Sequence, residues 1–195
     1  MSNAVLKFSA RVMCIAPLAV FTSAIDSAFA SGRLTHHQMA NHVIRPGKSL
    51  GPCVLKKWTS TLAGLKSCPP HDNDAALGHY IDRYRASGHD KCDSLRVYAV
   101  RDDTGSGGLK EKIEQVWTSS SVFVTSSGVR VGDGLNKVKR AYLSIALVDG
   151  AGGPASLYDD KRDGIAFEFR GTKCTAIIVH PGGQGVADEY MHIWE

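Results

Sequence analysis

The sequence predicts an α+β fold: an antiparallel sheet with two or three packed helices, stabilised by disulfides. Three observations carry this expectation. Apolar residues recur at helical spacing in the first half of the chain. From Leu95 onward the spacing changes to strict alternation. An even set of four cysteines follows a leader of the export type.

The leader comes first. Lys7 and Arg11 form a basic start, and the apolar run Val12 to Phe21 follows, broken by Pro17. Ala28-Phe29-Ala30 then gives a small-x-small step before Ser31. That order describes a cleavable signal peptide over residues 1–30, with cleavage near Ala30 and a product secreted or held in a periplasm. The apolar run is shorter than the roughly 20 residues needed to span a bilayer, so the product is not expected to be membrane-embedded. Cys14 lies inside the run and follows Met13, which does not suit lipid attachment.

Composition narrows the function classes. The chain of 195 residues carries a net charge of +4, and removal of Lys7, Arg11 and Asp26 with the leader leaves +3. Both signs are interspersed, as in Asp159-Asp160-Lys161-Arg162-Asp163, a pattern read as a solvated face. No basic stripe with interleaved aromatics stands out, so nucleic acid is not an expected partner. Residues 31–52 read as a polar arm broken by Pro46-Gly47 and Gly51-Pro52. Residues 53–195 read as a single domain, helical over 53–92 and mainly β over 93–195.

Leu55, Trp58, Leu62 and Leu65 suggest a short amphipathic helix that Cys68-Pro69-Pro70 ends. Over 73–87, Leu77, Tyr80, Ile81 and Tyr84 form one stripe at helical spacing. Asn73 or Asp74 would cap that helix, and Gly88 would close it. Leu95 to Val100 alternates as a strand, and residues 111–118 are a second strand or a short helix. Two short strands are expected at Ser121–Val124 and Gly128–Val131. A helix follows over 134–143, with Asp133 as cap and Leu135, Val138 and Tyr142 as its buried stripe. Ser156-Leu157-Tyr158 precedes the strongest hairpin, Gly164–Arg170 against Lys173–His180 around Gly171-Thr172.

The cysteines expected to act as staples are Cys53, Cys68, Cys92 and Cys174. Four cysteines allow three pairings; the favoured one joins Cys53 to Cys68 and Cys92 to Cys174. On the chain-entropy model the shorter loop would contribute about 3 kcal/mol. No two cysteines have the C-x-x-C spacing of a zinc site.

Enzyme motifs fail at particular positions. Gly105-Ser106-Gly107 is not a nucleophile elbow, because Thr104 stands where a glycine is needed. Gly47-Lys48-Ser49 lacks the first glycine of a phosphate loop, since His42 occupies its place. The histidines are the remaining chemistry. His71, His79 and His89, with Asp72, Asp74 and Asp90 nearby, are the candidate metal ligands. Five residues apart on a helix, Asp74 and His79 would not share a face. His36, His37 and His42 fall in the polar arm, and His180 ends a strand where it could line a site. No catalytic residue and no cofactor is assigned.

Residues 125–181 run through Gly128-Val-Arg-Val-Gly132, a capped helix carrying Val138 and Tyr142, and then Gly164-Ile165-Ala-Phe167 and Ile177. This stretch resembles small exported bacterial domains of the β-lactamase-inhibitor-like and outer-membrane-assembly-lipoprotein (SmpA/OmlA-like) type. In those domains a helix after a glycine-containing turn packs on an antiparallel sheet. The resemblance implies a non-enzymatic role in binding or inhibiting another protein, and it transfers no catalytic residue. The expected function is accordingly a secreted or periplasmic protein-binding domain: an inhibitor, an immunity-like protein or an envelope accessory factor. The alternatives are a small exported hydrolase or metal-dependent enzyme using histidines, and a small-ligand carrier.

Overall fold

Alternation, not helical spacing, governs most of the chain. The computed structural model describes residues 42–74, 79–85, 94–102, 110–148 and 155–186, all within the unit Thr35–Glu195. In chain order the elements are β1 (Val43–Arg45), β2 (Ser49–Leu50), β3 (Cys53–Val54), a 3-10 turn (Thr59–Leu62), β4 (Ser67–Asp74), β5 (His79–Tyr84), β6 (Leu95–Asp102), β7 (Lys110–Thr118), β8 (Val124–Thr125), α1 (Leu135–Ala141), β9 (Ala146–Leu147), β10 (Ser156–Asp160), β11 (Ile165–Arg170) and β12 (Lys173–Val179). The eight-stranded sheet has the order β4-β5-β6-β7-β12-β11-β10-β9, and the four-stranded sheet has the order β3-β2-β1-β8. Every pairing in the large sheet is antiparallel. In the small sheet β1 and β8 run parallel.

The large sheet is apolar on both faces. On its first face Leu95, Val97, Val116, Phe167, Ile177 and Val179 are buried with Ile44 and Leu50 of the small sheet and with Val138 and Tyr142 from α1. On the second face lie Ile81, Tyr98, Trp117, Ala166 and Ile178, and the Arg96 guanidinium stacks 4.5 Å from the Trp117 ring centroid. Each large apolar side chain removed from water contributes about 1.5–3 kcal/mol, so both faces are needed.

The α+β expectation is corrected to a mainly β architecture. Among the described residues there is one α-helix rather than two or three. The stripe read as a helix over 73–87 falls on β4 and β5. Ile81 packs on the second face of the sheet and Tyr84 on the first, as successive positions of odd spacing do in a strand. The helix expected near Leu55–Leu65 is reduced to the 3-10 turn, and Leu62 is its one buried residue. Residues 43–50, read as polar arm, form the hairpin β1–β2 with Ile44 and Leu50 wholly buried. The expected strand at Gly128–Val131 is a turn segment, and only Val124–Thr125 of the pair is a strand.

Disulfide stapling is corrected as well. Cys53 and Cys174 are buried free thiols, so neither Cys53–Cys68 nor Cys92–Cys174 exists. Burial pushes both thiols up to about 12. They are core residues, and Cys174 donates to the Ala176 carbonyl at 3.2 Å. Cys68 does not titrate as a free thiol, and Cys92 lies outside the described residues.

The helix expected over 134–143 forms over the shorter span Leu135–Ala141, with Val138 as its buried residue and Tyr142 as its C-cap. Its N-cap is Gly134, without a side-chain bond. Asp133 works one residue earlier, accepting from the Arg130 N–H and from Lys137 Nζ, both at 2.8 Å. Desolvation pushes the Asp133 carboxyl up, but these two bonds outweigh it and hold the group below the usual carboxylate range.

Candidate functional site

The polar chemistry of the described residues concentrates at one corner, where β10, β11 and β12 end. Strand register builds it. Asp159 lies opposite Ala166, and Asp160 opposite Ile165. Ala166 in turn lies opposite Ile178, and Ile165 opposite Val179. Asp159 therefore shares the second face with Ala166 and Ile178, and His180, two residues beyond Ile178, shares it too.

His180 and Asp159 are joined across β11. His180 Nε2 lies 2.9 Å from Asp159 Oδ1, with the two side chains 0% and 2% exposed. His180 Nδ1 lies 3.2 Å from the Pro181 carbonyl. Both ring nitrogens thus face oxygen atoms of the protein, and the one carrying the proton donates to its neighbour. Gly164, at φ +74, makes the close approach possible: a Cβ there would stand 2.4 Å from the His180 carbonyl oxygen and 2.7 Å from Gly47 Cα. The Gly164 carbonyl accepts from Gly47 N–H at 3.0 Å and from His180 N–H at 3.1 Å, tying the turn of β1–β2 to the corner.

The turn from β10 to β11 is held by its own aspartate. Asp160 Oδ1 accepts from the Asp163 N–H at 3.1 Å, and the Asp160 carbonyl accepts from the Gly164 N–H at 2.8 Å. Asp159 Oδ2 and Asp160 Oδ2 are closed to solvent and have no hydrogen-bond partner. The run Asp159 to Asp163, read from sequence as a solvated face, therefore buries its first two carboxylates, at 3% and 0% exposure.

Outside this corner lies a cleft of ≈ 500 Å³. One wall is Ser144, Ala146, Leu147 and Val148, which include β9; the other is Asp159, Lys161 and Arg162. Leu147 on the first wall is 53% exposed, and Leu143, which precedes Ser144 in the chain, is 87% exposed. Arg162 pairs with Asp163 at 3.0 Å on the surface, whereas the Lys161 ammonium has no partner among the described residues.

The arrangement argues for a structural role for His180. A general base must reach the proton it takes, at roughly 2.6–3.2 Å from the substrate atom. A ring with no exposure and both nitrogens engaged has no such reach. Of the other histidines, His42 packs its ring 5.8 Å from Phe123. His71 and His79 lie on β4 and β5, and Asp74 is directly opposite His79 across the pair, not five residues along a helix. His36, His37, His89 and Asp90 lie outside the described residues. Among the described residues no three of His, Cys, Asp and Glu group in a way that could hold a metal ion. No helix of the described residues is long and apolar enough to cross a membrane.

Sequence reasoning pointed to His180 but missed Asp159, Asp160, Lys161, Leu143 and Leu147. The available signal was the strand at Ser156-Leu157-Tyr158: continued by two residues, its alternation carries Asp159 and Asp160 into the sheet.

No family model matches this chain, and no curated protein matches it. Among solved structures, the chain is similar to the crystal structure of the uncharacterized protein yfeY from Escherichia coli, at 13% identity, over 71% of this chain and 97% of that chain, with a TM-score of 0.44. A likeness of that degree carries neither a shared fold nor a shared function.

Proposed function

We propose that this chain is an exported, non-enzymatic protein-binding domain whose contact region is the β9 edge and the cleft beside it. The observation that carries the reading is the exposure of Leu143 and Leu147, 87% and 53%, next to the last strand of the large sheet. Large apolar side chains grouped at an open sheet edge are characteristic of a surface that another protein covers. The resemblance of residues 125–181 to inhibitor-like and envelope-lipoprotein domains supports the same reading, as does the signal-peptide pattern of residues 1–30. The enzyme reading loses its best residue, because His180 is enclosed and its two nitrogens are engaged.

The test places a photo-crosslinking amino acid at position 143 in the full chain, expressed in a bacterium with an intact envelope. The expected result is one discrete adduct with another protein, and none from the same probe at Arg130, on the turn before α1. Recovery of the uncrosslinked chain alone from both positions would overturn the reading. Intact-mass analysis of the same product tests export: a mature chain starting near Ser31 is expected, and retention of Met1 contradicts it.

A further inference from the structure

We infer that the partner contributes an extended acidic and apolar segment, which adds to β9 as a further antiparallel strand and sets a carboxylate against Lys161. The inference rests on the protein-binding reading and names the chemistry of its partner.

The two edges of the large sheet differ. β4 carries Pro69 and Pro70, which have no N–H to offer, and its register breaks between Cys68 and Asp72. An edge of that kind resists strand addition. β9 has no proline and, among the described residues, pairs on one side only, with Leu147 opposite Tyr158 and Ala146 opposite Asp159. The Val148 N–H donates inward to the Leu157 carbonyl at 2.9 Å. Amide groups alternate sides along an antiparallel strand, so the N–H and carbonyl of Leu147 point away from β10. A peptide strand laid there gains main-chain bonds from Leu147 and apolar contacts from Leu143 and Leu147.

Charge chooses the occupant. Lys161 and Arg162 are adjacent on the turn that walls the cleft. Among the described residues the Lys161 ammonium has no partner, whereas Arg162, its side chain 71% exposed, pairs with Asp163. A second copy of this chain, paired β9 to β9 about a two-fold axis, would bring the same cations to the interface from both sides. An acidic segment complements them, and complementary charge selects partners at such an edge.

The probes are three acetylated, amidated octapeptides: Glu alternating with Val, Lys alternating with Val, and the Glu peptide with alternate backbone nitrogens methylated. Each is titrated into the full mature chain and followed by amide shifts in NMR spectra. The Glu peptide is expected to move signals within 143–148 and 161–162. The other two are expected not to bind, and Lys161→Glu is expected to weaken the Glu peptide about tenfold. Equal binding of both charge signs, binding that survives methylation, shifts confined elsewhere, or no binding would each overturn the inference. A concentration-dependent dimer abolished by Leu147→Asp would overturn it too, by making a second copy the occupant. If the peptides fail while position 143 still crosslinks to a protein, strand addition falls and the protein-binding reading stands. If both fail, both readings fall.

Discussion

His180 and Asp159 are 21 residues apart in the chain and sit on strands that do not pair, yet their side chains meet 2.9 Å apart over β11. The contact is fully enclosed, and β11 offers a small residue, Ala166, opposite Asp159. Removing one partner leaves the other polar group buried with nothing to replace it. His180→Ala is therefore expected to cost about 1–3 kcal/mol in urea unfolding. The double variant with Asp159→Ala should lose less than the two single losses combined, because the pair is coupled. A His180→Ala chain within about 0.5 kcal/mol of the parent would show that the pair contributes nothing.

Gly164 is the second point of strain at the corner. An alanine there meets backbone atoms of His180, Gly47 and Gly182, which cannot rotate away, in addition to its positive φ. Gly128 also has a positive φ, +75, but faces open space. Gly128→Ala should cost about 1–2 kcal/mol, the ordinary penalty of a left-handed residue. Gly164→Ala should cost clearly more or prevent folding. Equal unfolding midpoints for the two variants would contradict the close approach of β1–β2 to the β10–β11 turn.

Cys53 and Cys174 should behave as core thiols. Burial pushes both up to about 12, and the thiolate is the reactive form. Treatment with iodoacetamide near pH 8 should leave both unmodified in the native chain and label both after denaturation. Peptide mapping that finds either one alkylated in the folded protein, or joined in a disulfide, would contradict the packing described.

Asp133 supplies a pH-dependent contribution. Its carboxyl lies below the ordinary range in the folded chain, because the bonds from Lys137 and the Arg130 N–H outweigh desolvation. A lowered folded pKa contributes stability that is present above the unfolded carboxyl range and lost as the pH falls through the folded value. Asp133→Asn should therefore be less stable than the parent at neutral pH, and the gap should close in acid. A gap that is constant with pH would assign the loss to something other than the charge.

The legible parts of the fold were those with one buried face or one unambiguous period. Val138 and Tyr142 mark α1 because the helix buries Val138 and its C-cap buries Tyr142, at 0% and 4% exposure. The hairpin β11–β12 was readable because its turn, Gly171-Thr172, separates two short apolar runs. The strands β4 and β5 were not readable. The sheet buries both of its faces, so Ile81 and Tyr84 are both apolar although they point in opposite directions, and a spacing of three then imitates a helix. The site was hidden for a related reason. Asp159 and Asp160 sit in a charged run that looks solvated, and only their register opposite Ala166 and Ile165 buries them. The exposure of Leu143 and Leu147 could not be read, since exposure is a property of their neighbours.

The most direct test of the β9 contact is capture with a surface variant. Leu143→Asp/Leu147→Asp alters two exposed side chains, so its melting temperature should stay close to that of the parent. The parent chain, immobilised and exposed to an envelope extract at moderate salt, should retain the protein that crosslinks from position 143, and the variant should lose it. Equal retention of that protein by the two chains would contradict the account.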